Sequence, residues 1–489
     1  MSMPADPRLF RRRPGPAPSR AARPAKIPWG WLEWFLIAQT FIPALLFLPG
    51  ITLIRTPIRV SSYAVGLVAW AWIVFKGRTR PGAENFYPLL WLKLASVWLL
   101  LLIFNPATNS LLAGFAHAML YISILSPAFW AHSTVISHKQ ILRMMVVLFF
   151  CNGLSAAVGL GQVFRPNIFN PPVIVALVDE NSLASKALTY TDIHGKRISR
   201  PCGLTDQVGA ASGAGATAAL VGLALALRPI GLLKRGFCLV VAFFGVAVIY
   251  YSQVRVILLM LVICLATLGI LFILQRNLWQ ATLLGGFGFG LIVVAFSWVA
   301  ATSGEVVTNR FLTLLADDPL KTYQGARGGF VKEAFEQFLW QYPVGAGLGW
   351  WGQIYQFFGD KTTPSTIWVE VMWPAWILDG GIPLLSTYVI ALGFAMFDSL
   401  RIALGTKDRE LGFWAAVIFA SNLSVLATCF SYVTFVSSIG MQFWFLSAAL
   451  HAADIRSRSS SNTQARPRPG VAAKPQSVPR STPPPTPSA

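Results

Sequence analysis

Charge is scarce in this chain. Only 12% of its 489 residues are Asp, Glu, Lys or Arg, whereas 55% are hydrophobic and there are 18 Trp and 34 Phe. That balance excludes a water-soluble globular protein of this length and leaves a polytopic membrane protein. Cysteine is equally sparse. The five, Cys151, Cys202, Cys238, Cys264 and Cys429, form no CxxC pair and four fall in apolar runs, which excludes a disulfide framework or a cysteine-based zinc site. The histidines are scattered. His117 lies within a span, His132, His138 and His451 fall toward one side and His194 alone toward the other, so the expected chemistry needs neither metal nor cofactor. The N-terminus, MSMPADPRLFRRRPGPAPSRAARPAKIP, lacks a short apolar core with a small-residue cleavage site and reads as a disordered basic tail over 1–28.

What is present is a series of apolar runs of bilayer-crossing length. They lie near 30–48, 59–76, 86–105, 110–131, 140–163, 208–228, 235–251, 255–274, 279–300, 380–398, 411–430 and 433–451, about twelve spans in all, within an expected membrane domain of 29–454. The run at 367–379 reads either as a separate half-helix or as the start of the tenth span. A formal charge of +20 raises the question of nucleic acid, but a third of the Lys and Arg sit in the two tails and most others fall in short loops on the same side. A basic cytoplasmic rim explains this, with both termini cytoplasmic and no nucleic-acid partner. Two long loops, about 164–207 and 301–367, then face outward. Residues 455–489 are Arg/Ser/Pro-rich and read as a second disordered tail.

Candidate functional residues collect in and beside these outer loops. Arg200, with Lys196 and Arg197, precedes a Gly/Ala/Ser-rich helix start, either as a solvated turn or as an anion-binding collar at a helix N-terminus. Arg255, in IYYSQVRVILLM, falls at the outer end of a span. It either snorkels to headgroups or holds a phosphate, to which guanidinium offers a matched planar fork. In the second loop, Lys332, Glu333, Glu336 and Gln337 share one helical side and Phe330, Ala334, Phe338 and Leu339 the other, which describes a helix lying on the membrane surface. Arg327 stands at its start and Arg310 precedes it. The run VGAGLG follows no strand and leads to no Lys-Ser/Thr, so it reads as a hinge and packing seam, not a phosphate loop. Glu370, among Trp, Val and Met, is either a general base raised by desolvation or a partner for an arginine, and Asp379 reads as a structural pair or cap.

Four segments, SRPCGLTDQVGA near Arg200, SQVR at Arg255, ARGGFVKEAFEQFLWQYPVGAGLGWWG and WILDGGIPLL, in this order around the large outer loop, resemble the bacterial O-antigen ligase and polymerase family of integral membrane glycosyltransferases. The resemblance covers about 200–390. It implies a GT-C-like membrane fold in the bacterial inner membrane, an outer cavity for an undecaprenyl-diphosphate-linked oligosaccharide, and Arg255, Arg327 and Arg200 gripping the diphosphate. Flippase and chain-length regulator proteins are the implied partners beside membrane lipid. The ligase branch carries a His shortly before the Asp-Gly pattern of the next span, and this chain has Glu370 near that place. The expectation is therefore a polymerase of O-antigen, capsule or exopolysaccharide repeats with Glu370 as base, with a ligase acting on lipid A-core as the alternative. A secondary transporter or flippase, or a structural scaffold of a secretion complex, are the other classes. Against transport stand the absence of a clear repeat between the two halves and the paucity of mid-span charges.

Overall fold

The computed structural model describes residues 29–48, 50–76, 86–134, 136–172, 174–175, 189–191, 197–303, 309, 311, 318, 321, 323–362 and 367–465. Arg310, His194, Lys196, the side chain of Arg197 and residues 1–28 and 466–489 lie outside that set. About 80% of the described residues are helical. The bundle helices are α1 (Trp31–Ala44), α2 (Arg55–Phe75), α3 (Pro88–Leu102), α4 (Leu111–Ala131), α5 (His138–Phe164), α6 (Ala211–Ala226), α7 (Leu232–Ser252), α8 (Arg255–Leu274) and α9 (Leu278–Ser303). After a surface helix, α10 (324–341), come α11 (Met372–Gly405), α12 (Arg409–Thr428) and α13 (Ser438–Ala465). Every apolar run read from the sequence coincides with one of these bundle helices. Eight of them, α2, α4, α5, α7, α8, α9, α11 and α12, are long and apolar enough to cross a membrane, and α1, α3 and α6 are shorter apolar helices. The chain is an all-α polytopic membrane protein.

The helices start where capping residues stand. Ser110 accepts a hydrogen bond from Ala113 N at α4, Ser137 and Gln140 form a reciprocal capping box at α5, and Asp408 accepts from Glu410 N and Leu411 N at α12. Close approach is set by small residues. Gly215 of α6 and Gly245 of α7 face each other backbone to backbone, leaving no room for a Cβ on either, and Gly222 meets Cys238 O in the same seam. Apolar side chains such as Leu259, Ile270, Phe289 and Val294 stand on the outside of the bundle, as lipid-facing residues do.

Short turns at 132–137, 227–231, 275–277 and 406–408 join helices at one end. Two of them are tied together by Gln275 Nε2, which donates to Ala403 O and Gly412 O on either side of the 406–408 turn. Ion pairs gather at the same end: Arg143–Glu33 at 3.2 Å, Arg228–Glu410 at 2.7 Å and Arg401 with Asp398 and Asp454 at 2.6 and 3.2 Å. The long connections emerge at the other end.

Two features depart from the sequence reading. A two-stranded antiparallel hairpin, β1 (Thr189–Thr191) with β2 (Arg197–Ser199), stands in the first long loop. The last helix continues to Ala465, past the Ile455 boundary. The 367–379 run combines its two readings: it is a half-helix from Met372, joined to the next span but broken at Gly381, whose φ of +65° and ψ of −155° are not helical.

Candidate functional site

A cavity of about 1670 Å³ opens at the end of the bundle that carries the long connections. Its walls come from α1, α2, α5, α6, α8, α12 and α13, with the segment before α6 and the start of α10 at its mouth. It reaches Cys264, nine positions after Arg255, which is roughly 14 Å along the helix axis. Leu259 and Val262, 51% and 43% exposed, also line it, so accessible apolar side chains form part of its wall beside the polar ones.

Arg200, Arg255 and Arg327, which come from three separate stretches of sequence, all line this cavity. Arg255 is carried in by the first turn of α8, Arg327 by the first turns of α10, and Arg200 by the strand exit that leads to α6. Burial lowers the Arg200 pKa, and its Nε is buried with no hydrogen-bond partner among the described residues. Two further arginines line the same space. Arg55 and Arg59, one turn apart on α2, both reach Asp206: Arg55 Nε donates to Oδ2 at 2.6 Å, and Arg59 donates from Nε and Nη2 to Oδ1 at 2.9 and 2.7 Å. Among the described lining residues, five arginines thus face a single carboxylate.

Glu370 lies just outside this lining. Its Oε2 is 3.8 Å from Arg327 Nε and its Oε1 accepts from Trp368 Nε1 at 2.9 Å. The side chain is 34% exposed, so the desolvation expected of a carboxylate among Trp, Val and Met is not met there; the neighbouring Val371 and Met372 take the buried positions instead.

Asp379 and the Gly-rich run belong to a separate, buried structure. Asp379 is fully buried and accepts from Tyr121 Oη and from Trp351 Nε1, both at 2.8 Å. His117 Nε2 stands 3.5 Å from the same carboxylate, while His117 Nδ1 accepts from Gly349 N at 3.1 Å, which places the proton of a neutral ring on Nε2. This is the structural pairing expected of both residues. Gly345, Gly347 and Gly349 have φ of +100°, +101° and +84°. A Cβ at Gly345 would stand 2.9 Å from Asp379 O, and one at Gly347 would run into Ala107 O. The run fills the break in α11: Ala346 N donates to Leu378 O, Ile382 N to Pro343 O, and Trp98 Nε1 caps Gly380 O at 2.8 Å. The glycines form a packing seam that satisfies the backbone groups freed at Gly381.

On α10, Ala334 is buried, Phe330, Phe338 and Leu339 are half-buried, and Lys332, Glu336 and Gln337 are exposed, as the expected faces require, but Glu333 is half-buried like the apolar side. Two wide π-turns, Gln324–Gly328 and Ala334–Phe338, interrupt the regular α geometry. Among the described residues no group of His, Cys, Asp or Glu has the arrangement of a metal site.

Sequence reasoning missed Arg55, Arg59, Asp206 and Gln253. The first two carried a signal: RTPIRV places two cations four apart at the outer end of a span, against the positive-inside bias. Asp206 and Gln253 carried none, since their positions follow only from how α2, α8 and the segment before α6 converge. No protein-family model matches this chain, and no curated protein matches it.

Proposed function

We propose that this protein is a cell-surface polysaccharide polymerase of the bacterial inner membrane, which transfers glycan from an undecaprenyl-diphosphate donor to an acceptor sugar hydroxyl. The observation that carries this reading is a cavity whose lining combines five arginines with accessible apolar side chains. An isoprenoid diphosphate calls for both, charge for the diphosphate and apolar surface for its chain. In this reading the cavity end is periplasmic and both termini are cytoplasmic.

In the reaction, the acceptor oxygen bonds to the anomeric carbon as the bond from that carbon to the diphosphate oxygen breaks. The electron pair leaves with the diphosphate, and the hydroxyl proton passes to a base. Arg255, Arg327 and Arg200 supply fixed positive charge where the leaving group gains negative charge, a contribution that a water-poor cavity strengthens. Glu370 is assigned as base. Its contact with Arg327 sets it beside the arginine that holds the leaving group. A GT-C-like architecture belongs to the same proposal.

A broken membrane helix is also a feature of transporters. Here the break is closed by Pro343 and Ala346, and the Asp379 carboxylate is engaged by Tyr121 and Trp351, so the protein itself occupies the groups that an ion or solute would use. Complementation of a deletion strain tests the reading, with polymer length read on a gel. Arg255→Ala, Arg327→Ala and Glu370→Gln are each expected to leave single repeats on the carrier or on lipid A-core. Normal polymer in all three variants would remove the assignment, and loss of lipid A-linked polymer with carrier-linked polymer intact would mark a ligase.

A further inference from the structure

Gln253 sits where α7 ends and α8 begins, and three observations set it apart. It is 4% exposed, yet its Nε2 has no hydrogen-bond partner among the described residues. It lines the arginine cavity directly before Val254 and Arg255. Its backbone is left-handed, φ +54° and ψ +27°, in a region where only Gln253 and Arg276 stand among the described non-glycine residues. A buried amide donor without a partner costs free energy, and a left-handed non-glycine residue adds strain. A glycine would remove both penalties. Glutamine at this place is explained if the amide is satisfied by something the cavity receives.

The nature of that ligand follows from the surroundings. The N-terminus of α8, a helix of 20 residues, opens into the cavity at the same point, and a helix N-terminus favours anions. Arg255 belongs to this first turn. Arg200, on the same cavity lining, has a second buried donor, its Nε, without a partner among the described residues. An amide N–H, a guanidinium N–H and a helix N-terminus on the lining of one cavity are all donors, which suits the oxygens of a phosphate or diphosphate and does not suit a cation or an apolar chain.

We propose that Gln253 is a ligand-binding residue whose side-chain amide donates to a phosphate oxygen held at the N-terminus of α8, between Arg255 and Arg200. The proposal rests on the diphosphate reading above and adds to it a neutral donor that fixes orientation where the arginines fix charge. The left-handed residue is also what ends α7 and lets α8 begin: a right-handed residue at 253 would carry α7 onward.

The test uses the full chain in nanodiscs and inorganic diphosphate as probe, titrated by calorimetry in zwitterionic phosphatidylcholine and again in phosphatidylglycerol. Wild-type protein is expected to bind the diphosphate. Gln253→Gly keeps the left-handed turn and removes only the amide, so it is expected to bind about tenfold more weakly while melting at or above the wild-type temperature. Gln253→Asn tolerates the same backbone with a shorter amide, and is expected to fall between the two. Weakening of diphosphate binding by phosphatidylglycerol in the wild type but not in Gln253→Gly would support the same contact with a lipid headgroup phosphate as the source. Wild-type affinity in both variants overturns the role of Gln253 alone, whereas absence of diphosphate binding by the wild type in both lipids overturns the diphosphate reading together with it.

Discussion

At the scale of single residues, burial and partners separate groups that look alike in sequence. Asp206 and Glu370 are both carboxylates beside arginines, but Asp206 is 3% exposed between two guanidinium groups, while Glu370 is 34% exposed beside one. Removing Asp206 leaves two arginines facing each other without their counter-charge, so Asp206→Ala is expected to cost on the order of 2 kcal/mol, read as a lower melting temperature in detergent, with no loss of diphosphate affinity. Glu370→Gln is expected to leave the melting temperature within about 1 °C while polymer is lost, because an exposed pair contributes little to stability. Burial also pushes the Cys202 thiol up to about 12, against its hydrogen bond with Gln162. The reactive thiolate is then nearly absent at pH 8, and Cys202 should resist maleimide until the protein is unfolded, as mass spectrometry of the labelled peptide would show. The arginines were legible in the sequence because a cation at a span end on the wrong side is costly and therefore conspicuous. Asp206 and Gln253 were not, because a small polar residue in a loop has no such signature.

At the scale of elements, the apolar runs of the sequence became helices, since a backbone within hydrocarbon must satisfy its own hydrogen bonds. The broken helix is informative. The 367–379 run is continuous with the next span in helix but not in direction, because Gly381 breaks the ladder and the 343–349 peptide replaces the missing partners. That exchange depends on contacts between segments far apart in the chain, so sequence could announce a break and not what fills it. A side chain at Gly381 would meet Pro343 O and would also occupy a left-handed conformation. Gly381→Ala is therefore expected to destabilise by about 3 kcal/mol. Gly285→Ala, within α9 with no neighbour around the added Cβ, is expected to be neutral or slightly stabilising; thermal unfolding of the two variants side by side checks the difference.

At the scale of the whole molecule, the bundle separates two chemistries. One end carries short turns and mutually neutralised ion pairs; the other carries long connections and a cavity in which positive charge exceeds negative. If the cavity end is periplasmic, a cysteine placed at Thr362 should react with an impermeant maleimide on intact spheroplasts, and one at Lys407 only after the membrane is opened. The reverse pattern would invert the topology. The most direct measurement is turnover. Purified protein in nanodiscs is supplied with lipid-linked repeat units extracted from a strain lacking this gene, and released undecaprenyl diphosphate is followed together with product length. Wild-type protein should release the diphosphate and lengthen the glycan, with Arg255→Ala and Arg327→Ala slower by about 100-fold. Release that is absent from the wild type, or unchanged in both arginine variants, would contradict a glycosyl transfer driven by this cavity.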